Sequence, residues 1–321
     1  MEGAAILFST IEQELSQVRS FMVREAGTSI ESVNTLVEHV TARSGKMMRS
    51  GLLLLSGKAC GDIKDEHIEV GAIVELVHTA TLLHDDVLDG ATSRRGAETA
   101  NTLWGNECAV LLGDFLLSRA FVVGLRLAEP RVGQVISETA VQICRGELRQ
   151  NVERRNWDLS RQEYYEIIRD KTAALFGSCC YLGGLVSGVD ESQLESLGEF
   201  GLNVGMAFQL TDDLLDIISD QSITGKTPGK DFLQGKLTLP VIHCLDSAKG
   251  NDRGSLTERI SGKLGRRGLL EILEGSGSID YTRAEAERFA DKAILCLKSV
   301  EDGEAKGSLI ETAGFVTSRC G

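Results

Sequence analysis

Residues 66–88 read EHIEVGAIVELVHTATLLHDDVL and residues 192–218 read SQLESLGEFGLNVGMAFQLTDDLLDII, and these two stretches decide the fold. Both are long, apolar on nearly every side and interspersed with small residues. A helix without a polar face belongs in the core of a protein. We therefore predict two core helices, each of which ends in the same acidic motif, Asp-Asp-x-x-Asp.

The rest of the chain carries the signals of amphipathic helices. Apolar residues recur at helical spacing, and three capping boxes are predicted, at Thr28 with Glu31, Ser160 with Glu163 and Thr282 with Glu285. Alternating runs between tight-turn dipeptides, the signature of hairpins, are absent from the sequence. Only three prolines occur, none of them inside these runs, so we predict one all-α domain over residues 1–321.

Two predicted loops follow the acidic motifs directly. The first covers Gly90 to Thr99 and the second covers Ser222 to Gln234, both rich in glycine and in small or charged residues. A third stretch, from Lys249 to Gly268, is basic and glycine-rich, and we interpret it as a surface connection within the domain.

Charge and composition exclude several classes of function. The formal net charge of −13 argues against a nucleic-acid surface, which needs clustered lysines and arginines to neutralise phosphates. The eight cysteines include no CxxC pair, so we expect reduced thiols rather than a zinc site. The first eight residues lack a basic region and a long apolar run, so we expect neither a signal peptide nor a membrane span, and a cytoplasmic protein.

The acidic motifs have the spacing of a metal site. Asp85 and Asp89 stand four residues apart and share one helical face, as do Asp212 and Asp216. Like charges placed in this way repel each other, and a divalent cation relieves the repulsion. Oxygen ligands without a Cys or His cluster favour Mg²⁺, which also binds substrate phosphates. We predict metal ligands at Asp85, Asp86, Asp89, Asp212 and Asp216.

Basic residues complete the pattern expected of a diphosphate site. Arg94 and Arg95 follow the first motif, and lysines at 226, 230 and 236 follow the second. A further cluster, Gly45-Lys46-x-x-Arg49, precedes another apolar helix. Because diphosphate carries several negative charges, a site for two such substrates needs several cations.

These motifs together resemble the trans-polyprenyl diphosphate synthase family, and most of all its long-chain octaprenyl type. Residues 78–89, HTATLLHDDVLD, followed by Arg94-Arg95-Gly96, are similar to the family's first aspartate-rich region. Residues 208–216, FQLTDDLLD, are similar to the second, and residues 235–240, GKLTLP, to its downstream lysine signature. The resemblance is strong from about residue 40 to residue 245.

The resemblance implies a helical bundle of the isoprenoid synthase type around a central cavity, a homodimer, and about three Mg²⁺ ions bound with diphosphate. It implies two small-molecule substrates and a lipophilic product that is passed to a membrane. Catalytic roles fall on Asp85, Asp89, Asp212, Lys171 and Lys226. The allylic diphosphate would also contact Arg94, Thr172, Gln209 and Lys236, and isopentenyl diphosphate would contact Gly45, Lys46, Arg49, His78 and Arg95.

The implied reaction begins with ionisation of the allylic C–O bond. The isopentenyl double bond attacks the resulting cation, and a proton is then lost, with the departing pyrophosphate as the implied base. One departure from the family pattern concerns Ser44 and Ser50, which stand where the family usually has Gly and Pro. We expect a less rigid loop there, with binding retained.

The length of the product depends on small residues upstream of the first motif. Ala80 and Thr81 stand one turn before Asp85, where the resemblance places bulky side chains in short-product relatives. Small side chains leave space for a growing tail, so we predict a product of about C35 to C50, with Ile136 and Ile143 as the floor of the channel.

Other functions stay open at this point. A geranylgeranyl synthase would share all these motifs and differ only in product length. A terpene cyclase would replace the second motif by a mixed Asn/Ser/Glu metal site, which we do not find in the sequence. A non-catalytic regulatory subunit of a prenyl synthase would not need the intact aspartates and both arginines.

Overall fold

A computed structural model describes residues 7–42, 45–218, 229–248, 251–262 and 265–319. Within these ranges the protein is all-α apart from one hairpin of two-residue strands, β1 (Ser93–Arg94) and β2 (Ala97–Glu98). The helices are α1 (Glu12–Ala26), α2 (Glu31–Thr41), α3 (Met48–Cys60), α4 (Asp65–Leu88), α5 (Ala100–Trp104), α6 (Asn106–Gly124), α7 (Pro130–Val152), α8 (Arg161–Ile168), α9 (Ala174–Ser187), α10 (Glu191–Ile218), α11 (Lys230–Leu233), α12 (Leu239–Ser247), α13 (Asn251–Ser261), α14 (Arg266–Gly275), α15 (Ser278–Cys296) and α16 (Glu304–Ser318).

Short 3₁₀ turns and one π-helical turn connect some of these helices. The 3₁₀ turns cover Ser9–Ile11 and Leu297–Ser299, and the π-helical turn covers Arg169–Ala173. The two predicted core helices are confirmed as α4 and α10. Among the described residues, no helix is long and apolar enough to cross a bilayer.

One of the three predicted capping boxes is present. The Ser160 hydroxyl accepts from the Glu163 N–H, and the Glu163 carboxylate accepts in return from the Ser160 N–H. The box at Thr28 is wrong, because α2 begins one residue after Ile30 and the Thr28 hydroxyl accepts from the Ile30 N–H instead. The box at Thr282 is also wrong, because α15 already begins at Ser278.

The interpretation of Lys249 to Gly268 as a plain connection is also wrong, because it contains α13 and the start of α14. Ile260 on α13 is fully buried, so tertiary packing stabilises a helix whose glycine, serines and threonine have weak helix propensity. The first predicted loop carries the hairpin between β1 and β2. Of the second, residues 222–228 lie outside the described part of the chain.

The chain divides into two compact units. The first unit comprises Met1–Val141, Leu175–Leu202 and Ile294–Thr312, and the second comprises Gln142–Ala174, Asn203–Ala293 and Ala313–Gly321. In the first unit α4 is central and packs against α1, α3 and α6. In the second unit α12 packs against α8, α13 and α14. The first acidic motif thus belongs to the first unit and the second motif to the second.

Candidate active site

The first acidic motif lies at the C-terminal end of α4. Asp85 and Asp89 are half-buried, and the Asp89 N–H donates to the Asp85 carbonyl over 2.8 Å, which closes the helix. The C-terminal end of a helix carries a partial negative charge, so carboxylates there are destabilised and favour a bound cation. These two side chains therefore have the exposure and the electrostatics of metal ligands.

The middle aspartate of this motif is held by the protein itself. Asp86 is 5% exposed, and its two oxygens accept from Arg94 Nε at 3.0 and 3.1 Å and from Nη2 at 2.8 Å. Burial by itself would lower the pKa of Arg94, but the Asp86 carboxylate and its neighbours raise it. The sequence predicts Asp86 as a metal ligand and Arg94 as a phosphate contact, whereas the structure pairs the two residues with each other.

The turn between β1 and β2 places Arg95. Arg95 and Gly96 have φ values of 52° and 77°, as in the type I′ turns of two-residue hairpins. The guanidinium of Arg95 lies against Gly45, where a Cβ atom would overlap it. Gly45 itself has a φ of 72°, so the backbone conformation favours glycine there, and a larger residue would also displace the Arg95 guanidinium.

Arg49 and His78 form the core of a basic cluster in the first unit. Arg49 Nη1 lies 3.0 Å from His78 Nε2, and its guanidinium lies 4.6 Å from the ring centre of Phe176. Burial, with the nearby Arg49, holds the pKa of His78 well below its usual value, so the neutral imidazole accepts this hydrogen bond. Arg49 Nε is buried and has no hydrogen-bonding partner within the described part of the chain. This donor is available to an anionic ligand.

A pocket of about 540 Å³, its open mouth included, adjoins this cluster in the first unit. Its wall carries His78, Arg94 and Arg95 together with the carboxylates of Asp86, which pairs with Arg94, and Glu98, and its apolar part includes Leu82 and Leu83. Cations beside an apolar wall suit a small anion with a short hydrocarbon part. Lys46 is exposed to solvent.

The second motif lies near the C-terminal end of α10. Asp212 and Asp216 are half-buried, and Asp212 Oδ1 lies 3.7 Å from Arg319 Nη2. Asp216 Oδ2 accepts from the Asp231 N–H over 3.2 Å. Lys236 is 4% exposed and its ammonium lies 3.7 Å from the Asp231 carboxylate. Lys236 is thus a buried cation, and its partner Asp231 contacts the motif.

The middle aspartate of the second motif is also held by the protein. Asp213 is 4% exposed and accepts from the Tyr164 hydroxyl and from Gln209 Nε2, each over 2.6 Å. Gln209 Oε1 in turn accepts from the Thr172 hydroxyl over 2.7 Å. Burial, with the nearby Asp231 carboxylate, raises the pKa of Asp213 to about 8. This chain of bonds connects two predicted site residues, Thr172 and Gln209, to the motif.

Lys171 lies in the π-helical turn between α8 and α9. Its ammonium bonds Gln150 Oε1 over 2.8 Å and forms an ion pair with Glu147. The turn packs so closely on α7 that a Cβ atom at Gly146 would overlap the Lys171 backbone. Such π-helical insertions are frequent at functional sites. Lys226 lies outside the described residues.

The residues predicted to set chain length are all in or near the core. Ala80 is 1% exposed on α4, and the half-buried Thr81 donates to the His78 carbonyl over 2.8 Å. Ile136 is buried in the first unit, and Ile143 is buried in the second. Their role in setting chain length stays a prediction.

The donor set of the two motifs fits a magnesium site. Within the described ranges, no group of three or more Cys, His, Asp or Glu side chains is assembled as a metal cluster. Mg²⁺ does not need one, because it usually binds through one or two carboxylates together with waters and substrate phosphates. The outer aspartates supply carboxylates near the C-terminal end of α4 and near that of α10, so the residues present fit Mg²⁺.

Asp213 makes a testable contribution to the pH dependence of stability. Its pKa of about 8 in the folded state lies above the usual value of 3.8, so the folded state binds the extra proton between these limits. We expect the unfolding free energy of the protein to fall, relative to that of Asp213→Asn, by up to about 1.4 kcal/mol per pH unit as pH rises towards 8. Urea unfolding of both proteins from about pH 5 to pH 8 measures this difference. Unfolding free energies that change with pH in parallel for the two proteins would contradict the prediction.

Tyr164 and Glu75 are site neighbours that the motifs do not indicate. Tyr164 stands 49 residues before its partner Asp213, on an ordinary amphipathic helix. Glu75 is a 1% exposed carboxylate within α4 that accepts from Ser50. The only signal for Glu75 in the sequence is an acidic residue inside an otherwise apolar run.

Comparison with known proteins finds curated relatives that align with nearly the full chain. A curated octaprenyl diphosphate synthase from Escherichia coli (strain K12) is 34% identical over 310 residues, which cover 96% of each protein. A curated short chain isoprenyl diphosphate synthase from Methanothermobacter thermautotrophicus is 33% identical over 322 residues, covering 96% of this chain and 98% of the relative. Long-chain and short-chain synthases are therefore both related to this chain at similar identity.

A solved structure agrees with the fold. The crystal structure of polyprenyl synthase from Caulobacter crescentus CB15, complexed with calcium and isoprenyl diphosphate, superposes with a TM-score of 0.92 at 33% identity. The match covers 99% of this chain and 98% of that chain. The family model described as Polyprenyl synthetase matches residues 30–270. With its motifs, its helical fold and these matches, the chain belongs to the polyprenyl synthetase family.

Proposed function

We propose that the protein is a trans-prenyltransferase that condenses isopentenyl diphosphate head-to-tail with an allylic diphosphate such as farnesyl diphosphate. Its product is a polyprenyl diphosphate of about C35 to C50, since small residues at 80 and 81 leave space for a long tail. The observation that carries the proposal is that both motifs have the same arrangement of exposed and buried aspartates. In each, the outer aspartates are half-exposed while the middle one is buried and hydrogen-bonded.

Both motifs act on the allylic diphosphate. The outer carboxylates Asp85, Asp89, Asp212 and Asp216 would hold about three Mg²⁺ ions, which would supply positive charge to the leaving diphosphate. Support comes from the Caulobacter polyprenyl synthase, which was solved with calcium and isoprenyl diphosphate. The remaining contacts are proposed for Arg94, Lys171, Thr172, Gln209, Lys226 and Lys236.

Asp86 has a positioning role in this proposal rather than a role as a ligand. Its two oxygens are used by Arg94, so it fixes the guanidinium at the end of α4. The bonds from Arg94 to Asp86 use Nε and Nη2. The third guanidinium nitrogen, Nη1, can therefore donate to a phosphate. Lys171 is held by Glu147 and Gln150 and contacts a diphosphate while it keeps these partners.

Isopentenyl diphosphate binds in the first unit through Arg49, His78 and Arg95, with Lys46 and the backbone at Gly45. The buried Nε of Arg49 and the neighbouring pocket with its apolar wall support this placement. Carbocation chemistry needs no protein nucleophile. The chain supplies fixed charges and excludes water from the reacting carbons, and the departing pyrophosphate takes the proton.

A homodimer completes the proposal. Leu111 on α6 is 67% exposed, and Leu125, directly after the last residue of α6, is 81% exposed. Both side chains lie on about the same side of the helix as Val122. We expect sedimentation equilibrium to give twice the mass of the chain and Leu111→Glu to shift it towards the monomer. Leu295→Glu, at another exposed leucine, is the matched control. An unchanged mass for Leu111→Glu would contradict this interface.

The chain is proposed to act as one polyprenyl synthetase domain over residues 1–321, and its cytoplasmic location stays a prediction. The direct test of function is incubation of the purified protein with Mg²⁺, farnesyl diphosphate and isopentenyl diphosphate. A synthase yields longer diphosphates, a cyclase yields hydrocarbons, and a regulatory subunit yields no product.

A further inference from the structure

Glu75 is a buried carboxylate next to the basic cluster. It is 1% exposed on α4, one helical turn before His78. Its Oε1 atom accepts from the Ser50 N–H over 3.2 Å and from the Ser50 hydroxyl over 2.9 Å. Ser50 directly follows Arg49 in the first turn of α3. The carboxylate therefore bonds to the residue next to Arg49, the cation that we propose to bind isopentenyl diphosphate.

The first turn of α3 has no cap of its own. Its N-cap residue is Met47, which has a φ of 47° and makes no side-chain capping bond. The first N–H groups of a helix need an acceptor from elsewhere, and Glu75 provides one from the neighbouring helix. Ser50 lies in the first turn of α3 and is fully buried, and the expected effect of Ser44 and Ser50 on loop rigidity stays a prediction. Ser44 lies outside the described residues.

Titratable groups face Glu75 from several elements. The charged ones are Arg49 on α3 and Arg95 in the hairpin turn. The thiol of Cys179 on α9, whose pKa burial raises well above its usual value, also faces it, and the neutral His78 lies one turn further along the same helix. Burial raises the pKa of Glu75, and the charge of Arg49, the two bonds from Ser50 and the charge of Arg95 oppose that rise. Burial is the larger effect, so the pKa of Glu75 lies above its usual value, and the two arginines limit that rise by favouring the ionised carboxylate.

We propose that Glu75 is a positioning residue for isopentenyl diphosphate, which fixes Arg49 through Ser50 before the ligand binds and takes up one proton from solvent when it binds. The inference rests on the proposed function, because it assumes that the diphosphate binds at Arg49 and Arg95. An anion there offsets the positive potential that favours ionised Glu75. The protonated carboxyl is then the more stable form.

Ser50 can serve both states by rotation of its hydroxyl group. Its oxygen lies 2.9 Å from Glu75 Oε1 and 3.0 Å from the Gly71 carbonyl, so one proton has two acceptors within reach. With Glu75 ionised, the hydroxyl donates to the carboxylate. With Glu75 protonated, the carboxyl donates to the Ser50 oxygen, and the hydroxyl donates to Gly71. The carboxyl and the Ser50 hydroxyl therefore each keep a partner in either state.

Proton uptake is measured by calorimetry of isopentenyl diphosphate binding in two buffers with different ionisation enthalpies, slightly below neutral pH. We expect the wild type to take up more protons per bound diphosphate than Glu75→Gln, by up to one. The protonation of the ligand itself is common to both proteins and cancels. Equal proton counts, or no binding to the wild type, would overturn the proposal, since a residue that only packs leaves the count unchanged.

Ser50→Ala is the second variant and keeps the carboxylate and the backbone bond. We expect its KM for isopentenyl diphosphate to rise by about tenfold, while kcat and the KM for the allylic substrate stay within about threefold. Its proton uptake should fall below that of the wild type, because the protonated carboxyl loses its acceptor. An unchanged KM with an unchanged proton count would overturn the proposal even if Glu75→Gln does not fold.

Ser56→Ala is the matched control, because Ser56 is an equally buried serine on α3. Both KM values should stay at the level of the wild type. Product analysis separates the two possible failures. If the wild type elongates farnesyl diphosphate but the proton counts agree, only the role of Glu75 is refuted. If it does not elongate, the proposed function fails.

Discussion

Replacing Asp85 or Asp212 by alanine is expected to lower kcat by about 10²- to 10³-fold, as removal of a group that stabilises transition-state charge does elsewhere. Both carboxylates are half-exposed near the C-terminal end of a long helix, α4 or α10. Loss of either removes a ligand for the metal that neutralises the leaving diphosphate. Steady-state kinetics at saturating Mg²⁺ and substrates measure the effect.

Stability distinguishes this loss from damage to the fold. A carboxylate near a helix C-terminus opposes the helix dipole, so alanine at 85 should leave the melting temperature unchanged or raise it. Asp280→Ala is the matched control, because Asp280 is an exposed aspartate in the first turn of α15. Near-normal kcat in both motif variants would refute the metal-binding role of the motifs.

Replacing Ala80 by tyrosine is expected to shorten the product to about C20, one condensation beyond farnesyl diphosphate, because a large side chain would fill the space of the growing tail. Ala80 is 1% exposed, so the added volume must enter the protein interior. Chain length is measured by mass spectrometry of the products formed from farnesyl diphosphate and isopentenyl diphosphate.

A graded series controls for misfolding in this experiment. Overpacking of a core costs about 1 to 3 kcal/mol, so Ala80→Val and Ala80→Phe should be tested with Ala80→Tyr. We expect product length to fall stepwise with side-chain volume while the first condensation continues. If all three variants stay active and give a product as long as that of the wild type, the role of Ala80 in chain length is refuted.

The sequence was sufficient for the parts of the fold that depend on local pattern. Helices α4 and α10 are apolar on nearly every side over more than twenty residues, and no other regular structure accommodates such runs as well. Helix starts were less predictable. A threonine followed by glutamate three residues later occurs at Thr282, yet α15 begins one turn earlier, because the capping signal cannot exclude an earlier start.

The outer aspartates of the site could also be predicted, because their spacing places them on one helical face. The partners of the middle aspartates could not. Asp86 pairs with an arginine across a hairpin turn, and Asp213 pairs with Tyr164 on another helix. Such pairs depend on how distant elements pack, and no local pattern encodes it. The bonds of the buried Glu75 to Ser50 cannot be predicted locally for the same reason.

The central claim, that this member of the polyprenyl synthetase family makes long-chain products, is tested most directly by product sizing. Purified protein is incubated with Mg²⁺, farnesyl diphosphate and excess isopentenyl diphosphate, and the diphosphates are measured by mass spectrometry. We expect an all-trans product of about C35 to C50, because Ala80 and Thr81 leave space for its tail. A product that stops at C20 would contradict the long-chain assignment, and the absence of any elongated diphosphate would contradict the prenyltransferase itself.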